Sequence, residues 1–259
     1  MRTVADVLVE TLVAFGITHV FGMVGHSNLG FADAMRRAEE RGELTYTGIR
    51  HEGAASFAAS AYGKLTGRPA ACFAIAGPGS TNMLTGLYDA KLDQSPVLAI
   101  SSQVPSKILG RGAFRDLDLT AIFGDVAAWT AEVHAGSDHA ELAALAVKHA
   151  LDARGVAHLM LPDEVQTQPC DAAAKTPQGR LAGRLTQPGL PELARAAAMI
   201  SASRRPVLIA GHGARQAAGP LRSLVERLNA PVLTTFKAKG LIPEPTRWAP
   251  ECSAAAARP

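Results

Sequence analysis

The sequence has little of what marks several classes of protein. Its 259 residues include three cysteines, Cys72, Cys170 and Cys252, which are far apart and odd in number. No disulfide framework and no paired-cysteine metal site can be read from them. Lys and Arg number 26 and Asp and Glu 23, for a formal net charge of +3. That charge is too small and too evenly spread to indicate binding to nucleic acid or to a membrane surface.

Long hydrophobic runs are absent as well. No apolar run reaches the roughly 18 residues that a membrane span needs. Asp6 and Glu10 interrupt the apolar pattern at the start of the chain, which argues against a signal peptide. The eight histidines include no HExxH-type pair, and the Gly-x-Ser-x-Gly motif of hydrolases does not occur. We expect a cytoplasmic enzyme or enzyme subunit with no membrane span and no metal site of its own.

Strand-like and helix-like segments alternate over residues 1–165. Short, continuous apolar runs end in glycine turns, and stretches with helical spacing follow them. This alternation is typical of an α/β fold with a doubly wound parallel sheet that is covered on both faces. The predicted helices are 3–15, 28–40, 52–65, 81–92 and 138–153, and the predicted strands are 18–21, 44–49, 70–75, 96–101 and 156–161.

A polar, proline-containing segment over residues 166–190 interrupts the alternation, which then resumes. The part that follows is too short to bury a complete core, and we expect its apolar strands to expose edges that favour aggregation. The predicted domains are a first α/β domain (1–168), a linker (169–189) and the start of a second α/β domain (190–259), with helices 191–203 and 215–228 and strands 206–210 and 231–235.

Two features follow predicted strands at the carboxyl edge of the sheet, where such folds bind ligands. Glu52 begins a helix and has small neighbours. Its carboxyl group could exchange a proton with a ligand, or it could be an ordinary acidic residue favoured by the helix dipole. The turn Gly77–Asn82 opens the next helix. It could present N–H groups to a ligand, or it could be a tight turn capped by Ser80 or Thr81.

Three segments taken together carry a family resemblance: GITHVFGMVG (16–25), RHEGAASFAASAYGKLTGRPA (50–70) and AGPGSTNMLTGLYDAKLDQSPVLAI (76–100). In order and spacing they resemble the N-terminal pyrimidine-binding domain of thiamine-diphosphate-dependent enzymes, in the pyruvate oxidase and acetolactate synthase group. The resemblance covers residues 1–165 and resumes at 190–242 with the start of that group's central domain. It implies the thiamine-diphosphate-binding fold.

The resemblance implies a catalytic role for Glu52. The matching glutamate hydrogen-bonds N1′ of the cofactor's aminopyrimidine and favours the tautomer that removes the thiazolium C2 proton, so that the cofactor can attack and decarboxylate a 2-keto acid. Val24 and Gly25 match the family's loop over the pyrimidine ring. The resemblance therefore makes these three residues part of a thiamine diphosphate site.

A second cofactor loop of the family is matched by Pro78, Gly79 and Asn82. Phe114 and Arg115 match positions beside the reacting centre, where the family usually has Phe-Gln-Glu. Arg115 replaces a neutral amide with a permanent cation, which changes any contact with a substrate. The identity of the 2-keto acid is therefore left open.

The resemblance also implies partners that this sequence does not include. In the family, a C-terminal domain with a Gly-Asp-Gly…Asn-Asn signature binds Mg²⁺ and the diphosphate, and neither element of that signature occurs here. We expect a partial thiamine diphosphate site, a homodimer or tetramer, and Mg²⁺ and FAD only in the intact family enzyme.

From about residue 243 the sequence departs from the family pattern, although a one-base shift of the reading frame could restore a family-like sequence. The expected function is the cofactor-binding portion of a 2-keto acid decarboxylating enzyme, truncated and inactive alone. Two alternatives stay open: a separate subunit that pairs with a diphosphate-binding chain, and a non-catalytic scaffold.

Overall fold

The structure divides the chain into two units. It is a computed structural model, and it describes residues 1–181 and 187–242. The first unit is Met1–Gly183 and the second is Arg184–Pro259. The departure from the family pattern that is predicted from about residue 243, and Cys252, lie outside the described residues.

Strands and helices alternate along the first unit, and its strands form one parallel sheet. The order β2-β1-β3-β4-β6-β5 confirms the predicted doubly wound α/β fold. The strands are β1 (His19–Gly22), β2 (Thr45–Gly48), β3 (Ala70–Ala74), β4 (Val97–Gln103), β5 (Ala127–Glu132) and β6 (Val156–Pro162). The helices are α1 (Val4–Ala14), α2 (Leu29–Glu40), α3 (Glu52–Thr66), α4 (Pro78–Asn82), α5 (Leu84–Leu92), α6 (Leu119–Phe123), α7 (His139–Ala153) and α8 (Asp163–Gln166).

The three central strands carry the core of this unit. Every residue of β3, β4 and β6 is buried, because helices cover both faces of the sheet. Alternate residues of β3 serve opposite faces: Phe73 packs with Leu8 and Phe31 on one side, and Cys72 packs with Met83 on the other. The edge strands β2 and β5 are partly exposed along their length.

Polar side chains at the carboxyl edge of the sheet cap the N-termini of two helices. Thr3 and Asp6 form a capping box at α1, with Thr3 N donating to Asp6 Oδ2 at 2.8 Å. Asp138 accepts from Glu141 N at 3.1 Å at the start of α7. These caps satisfy backbone N–H groups that a helix cannot satisfy itself. No helix of the described residues is long and apolar enough to cross a membrane.

The first part of the predicted linker lies against the first unit. Pro169 forms an isolated antiparallel bridge with Thr3, and Cys170 N donates to the carbonyl oxygen of Arg2 at 3.0 Å. Further along, Lys175 N donates to Thr11 Oγ1 at 3.3 Å. Residues 169–181 are therefore irregular but attached.

The second unit has a smaller sheet. Its elements are α9 (Leu190–Ala202), β7 (Leu208–Ala210), α10 (Ala218–Leu228) and β8 (Val232–Thr234). β7 and β8 pair in parallel over three residues each. Ala210, Val225, Val232 and Ile242 form its buried cluster. Within residues 187–242, the sheet thus has two strands around a small core.

Candidate functional site

Glu52 lies at the carboxyl edge of the sheet as the first residue of α3. It is 4% exposed, which is unusual for a carboxylate. Asn82, at the end of α4, donates from Nδ2 to Glu52 Oε2 at 3.0 Å. His51 caps the same helix by accepting from Gly53 N at 3.1 Å. The carboxyl group is therefore buried, oriented and hydrogen-bonded through one of its oxygens.

Two glycine loops meet beside this carboxyl group. A Cβ atom at Gly79 would lie 3.0 Å from Glu52 Oε1 and 2.6 Å from Ile75 Cγ1, and a Cβ atom at Gly25 would lie 2.6 Å from Ile75 Cγ2. Any larger residue at either position would collide with Ile75. Glycine therefore lets both loops close on one isoleucine and leaves backbone, with no side chain, facing Glu52 Oε1.

The loop after β1 is held by its own polar side chains. Asn28 Oδ1 accepts from Gly25 N at 2.8 Å, and Asn28 Nδ2 donates to the carbonyl oxygen of Met23 at 3.0 Å. Ser27 Oγ accepts from Ala76 N at 3.0 Å, which joins this loop to the end of β3. Val24, in the same loop, is 43% exposed. The loop therefore presents an apolar side chain from a fixed backbone.

Gln166, which is distant from this loop in the sequence, also holds the loop in place. This residue is 1% exposed, and both the nitrogen and the oxygen of its side-chain amide form hydrogen bonds. Nε2 donates to the carbonyl oxygen of Ser27 at 2.9 Å, and Oε1 accepts from Phe31 N at 3.1 Å. A buried amide with satisfied partners fixes geometry more strongly than apolar contact does.

The loop with Phe114 and Arg115 lies against the turn before α4. Gly77 has φ +72°, and a Cβ atom there would lie 2.8 Å from Arg115 Cβ. Arg115 itself has φ +69°, an uncommon backbone conformation for a residue with a side chain. Its Cζ lies 5.0 Å from the centre of the Phe114 ring, and Phe114 is 86% exposed. Arg115 therefore borders the turn that bears Gly79 and Asn82, and Phe114 lies beside it.

The predicted hydroxyl cap of the turn is wrong. The residue that caps α4 is Gly77, which offers no side chain. Ser80 Oγ donates to the carbonyl oxygen of Ile75 at 2.8 Å, and Thr81 Oγ1 donates to that of Pro78 at 3.0 Å. Ser80 and Thr81 are the third and fourth residues of α4, so they lie beyond the capping position, and their hydroxyl groups bond carbonyl oxygens of the turn instead.

The predicted site residues Val24, Gly25, Glu52, Pro78, Gly79 and Asn82 therefore follow three neighbouring strands of the sheet. Val24 and Gly25 follow β1, Glu52 follows β2, and Pro78, Gly79 and Asn82 follow β3. Sequence reasoning gave no functional signal for Ile75, which ended a predicted strand, or for Gln166, which fell in the segment interpreted as a linker. Among residues 1–181 and 187–242, no three His, Cys, Asp or Glu side chains come together as a metal site would need.

Comparisons with known proteins identify the family to which the sequence is similar. A family model described as the N-terminal TPP binding domain of thiamine pyrophosphate enzymes matches residues 2–122, and a model of the central domain of the same enzymes matches residues 193–249. Together the two models cover more than half of the chain.

Individual proteins are also similar to this chain. A Bacillus subtilis protein, YdaP, whose name describes it as thiamine pyrophosphate-containing, is 35% identical over 94% of this chain and 42% of its own length. An acetolactate synthase of Arthrospira platensis is 35% identical over 93% of this chain and 43% of its own. A pyruvate oxidase of Lactiplantibacillus plantarum is 32% identical over 91% and 39%. The chain spans about two fifths of the length of these relatives.

Proposed function

Because the chain belongs to the thiamine pyrophosphate enzyme family, we propose that it forms the pyrimidine half of a thiamine diphosphate site, in which Glu52 acts on the aminopyrimidine ring. The observation that carries the proposal is the buried carboxyl group of Glu52, held by Asn82 at 3.0 Å between two glycine loops. A buried carboxylate needs compensation, and one amide donor supplies only part of it.

The residues present fit the pyrimidine end of this cofactor. Gly79 leaves backbone where a side chain would fill the space next to Glu52, and Gly25 closes on Ile75 beside it. A flat heteroaromatic ring needs this kind of access, since it must approach the carboxyl group edge-on while apolar groups cover its faces. Val24, exposed on its loop, supplies such an apolar group. These features support the proposal of a ring-binding site beside Glu52.

Each residue then has a physical task. When bound, the cofactor supplies the electron sink for breaking the bond to the carboxylate of a 2-keto acid. Glu52 shares a proton with a ring nitrogen of the pyrimidine through Oε1, the oxygen that faces Gly79. Asn82 holds Oε2 and so fixes the orientation of the carboxyl plane. Phe114 and Arg115 border the reacting side, and the guanidinium group of Arg115 suits an anionic substrate.

We further propose that the diphosphate and its Mg²⁺ are bound by a different domain, in an assembly of two or four copies of the whole protein. Four large apolar side chains on α3 and α5 are exposed, as a protein–protein contact would require: Phe57, Leu65, Tyr88 and Leu92. The 2-keto acid substrate, the FAD of the intact enzyme and the cytoplasmic location stay predictions.

Calorimetric titration tests the role of Glu52. We expect wild-type chain to bind thiamine, which carries the pyrimidine without phosphates, and Glu52→Gln to weaken binding about tenfold, since a charge-assisted hydrogen bond is worth about 1.5–3 kcal/mol. Glu40→Gln, on the exposed face of α2, is the control and should bind like wild type. No saturable binding by the wild type, or equal affinities for wild type and Glu52→Gln, would contradict the proposal.

A further inference from the structure

A cysteine and a histidine contact each other outside the candidate site. Cys170 Sγ lies 3.7 Å from His139 Nδ1. His139 begins α7, after β5, and Cys170 follows α8, after β6. The pair thus lies at the same edge of the sheet as Glu52 but behind different strands, and the proposed function does not use it.

The histidine is oriented as a base toward the sulfur. His139 Nε2 lies 3.1 Å from the carbonyl oxygen of His134. A carbonyl oxygen only accepts, so Nε2 carries the proton, and the neutral ring leaves its lone pair on Nδ1, facing Cys170 Sγ. The ring is 7% exposed and is therefore held in place. A nucleophile, a base and a group that orients the base are the parts of an activated nucleophile.

Charged groups of both signs lie near the pair. The guanidinium group of Arg2 interacts electrostatically with Cys170 and also binds Glu10. Asp138 precedes His139 as the N-cap of α7, and Lys175 Nζ lies 3.8 Å from Asp138 Oδ2.

Accessibility distinguishes this thiol from the other described cysteine. Cys170 is partly exposed, although it also packs against the hydrophobic core of the first unit. Cys72 is fully buried in β3, and burial raises the pKa of its thiol to about 12. Of the two, Cys170 alone combines access with a base.

We propose that Cys170 and His139 form a nucleophilic pair, and that Cys170 is a covalent modification site for small, uncharged, soft electrophiles. His139 Nδ1 takes the thiol proton, and a sulfur lone pair forms the bond to the electrophilic carbon. The leaving group departs with the electrons of its own bond. No oxidant or reductant is consumed, and the charge of the leaving anion balances that of the imidazolium.

Alkylation by iodoacetamide, in which iodide leaves, tests the proposal in the full-length chain. Cys252 is replaced by serine, and the modified sites are read by peptide mass spectrometry at about pH 7. We expect folded Cys170 to react about tenfold faster than Cys170 of the same chain unfolded in urea, since an ordinary thiol is only a few per cent thiolate at that pH. An equal or slower rate in the folded chain overturns the proposal.

Two variants separate the base from the general environment. His139→Gln keeps an amide that can donate to the His134 carbonyl but removes the base, and we expect the rate to fall about tenfold. His134→Ala removes a neighbouring exposed imidazole and keeps the carbonyl, so its rate should equal that of the wild type. Unchanged alkylation in His139→Gln, with a far-UV circular dichroism spectrum like the wild type's, would refute the role of His139.

Discussion

The two units use similar strand sequences in different surroundings. In the first unit, β4 begins with an apolar run, Val97–Ile100, and all seven of its residues are buried. In the second unit, β7 and β8 come from equally apolar runs, yet Ile209 is 73% exposed and Leu233 is 39% exposed. The apolar run produces a strand in both cases. Burial, however, depends on neighbouring strands and covering helices, which the described part of the second unit has in smaller number.

The largest difference in stability between the two units should appear when one apolar side chain is shortened in each. Phe73→Ala removes a ring that is 1% exposed and packs between Phe31 and Tyr46, at centroid distances of 5.9 and 5.7 Å. We expect it to lower the free energy of unfolding by about 3–5 kcal/mol. Ile209→Ala should cost less than about 0.5 kcal/mol. Urea unfolding followed by circular dichroism measures both, and similar losses would show that Ile209 is buried in solution.

Acid should destabilise the first unit through His158. This residue of β6 is fully buried, stacks on Phe123 at 3.8 Å and contacts Ser101 Oγ at 2.8 Å. Burial lowers the pKa of its imidazole from 6.5 to about 3. Between these values the unfolded chain binds a proton that the folded chain does not. Stability is therefore full above about pH 6.5 and falls by about 2 kcal/mol near pH 5.

The replacement His158→Gln tests this dependence, since an amide can still contact Ser101 but does not titrate. The free energy of unfolding, measured from about pH 7 to about pH 4.5, should fall less steeply in this variant than in the wild type. Parallel curves would mean that His158 is not buried as described.

A smaller effect should come from two glycines. Gly77→Ala places a Cβ atom 2.8 Å from Arg115 Cβ at a residue with φ +72°. We expect a loss of about 1–3 kcal/mol. Gly213, in the second unit, has no heavy atom within 4 Å of the position of a Cβ atom and does not have positive φ. Gly213→Ala should change stability by less than about 0.5 kcal/mol. Thermal melts of the two variants, run side by side, measure the difference.

The smallest effect on the first unit should come from removing the second. A shortened chain of residues 1–181 keeps the contacts of Lys175 with Thr11 and of Arg180 with Glu141. Its free energy of unfolding should match that of the first unit in the full chain to within about 0.5 kcal/mol. It should also aggregate less, because the exposed strands are gone. Light scattering after size exclusion measures this, and greater aggregation of the shortened chain would contradict it.

Five of the six strands of the first unit were predictable, and the edge strand β5 was not. β3, β4 and β6 lie within two residues of their predicted bounds, because continuous apolar runs are the strongest signal of a buried parallel strand. β5 was not predicted. It is an edge strand, partly exposed, and its sequence Ala-Ala-Trp-Thr-Ala-Glu has no continuous apolar run. Its neighbour β6 supplies the backbone partners that make it a strand.

The candidate site was likewise predictable only in part. Strand order alone brings the loops after β1 and β3 together with Glu52 at one edge, so the place of the site followed from the alternation of elements. The bond from Asn82 to Glu52 and the packing of Gly25 and Gly79 on Ile75 did not. They depend on distances of a few ångströms between separate segments, and no local pattern records such distances.

The hydrogen bonds of Gln166 have a consequence for synthesis on the ribosome. They reach back 135 residues to Phe31 and 139 residues to Ser27. The loop after β1 emerges early from the exit tunnel, but its fastening residue emerges only when nearly all of the first unit has been translated. Contacts of such long sequence separation form late because the intervening chain must first be ordered. A nascent chain therefore carries Val24 and Gly25 well before Gln166 can hold their loop in place.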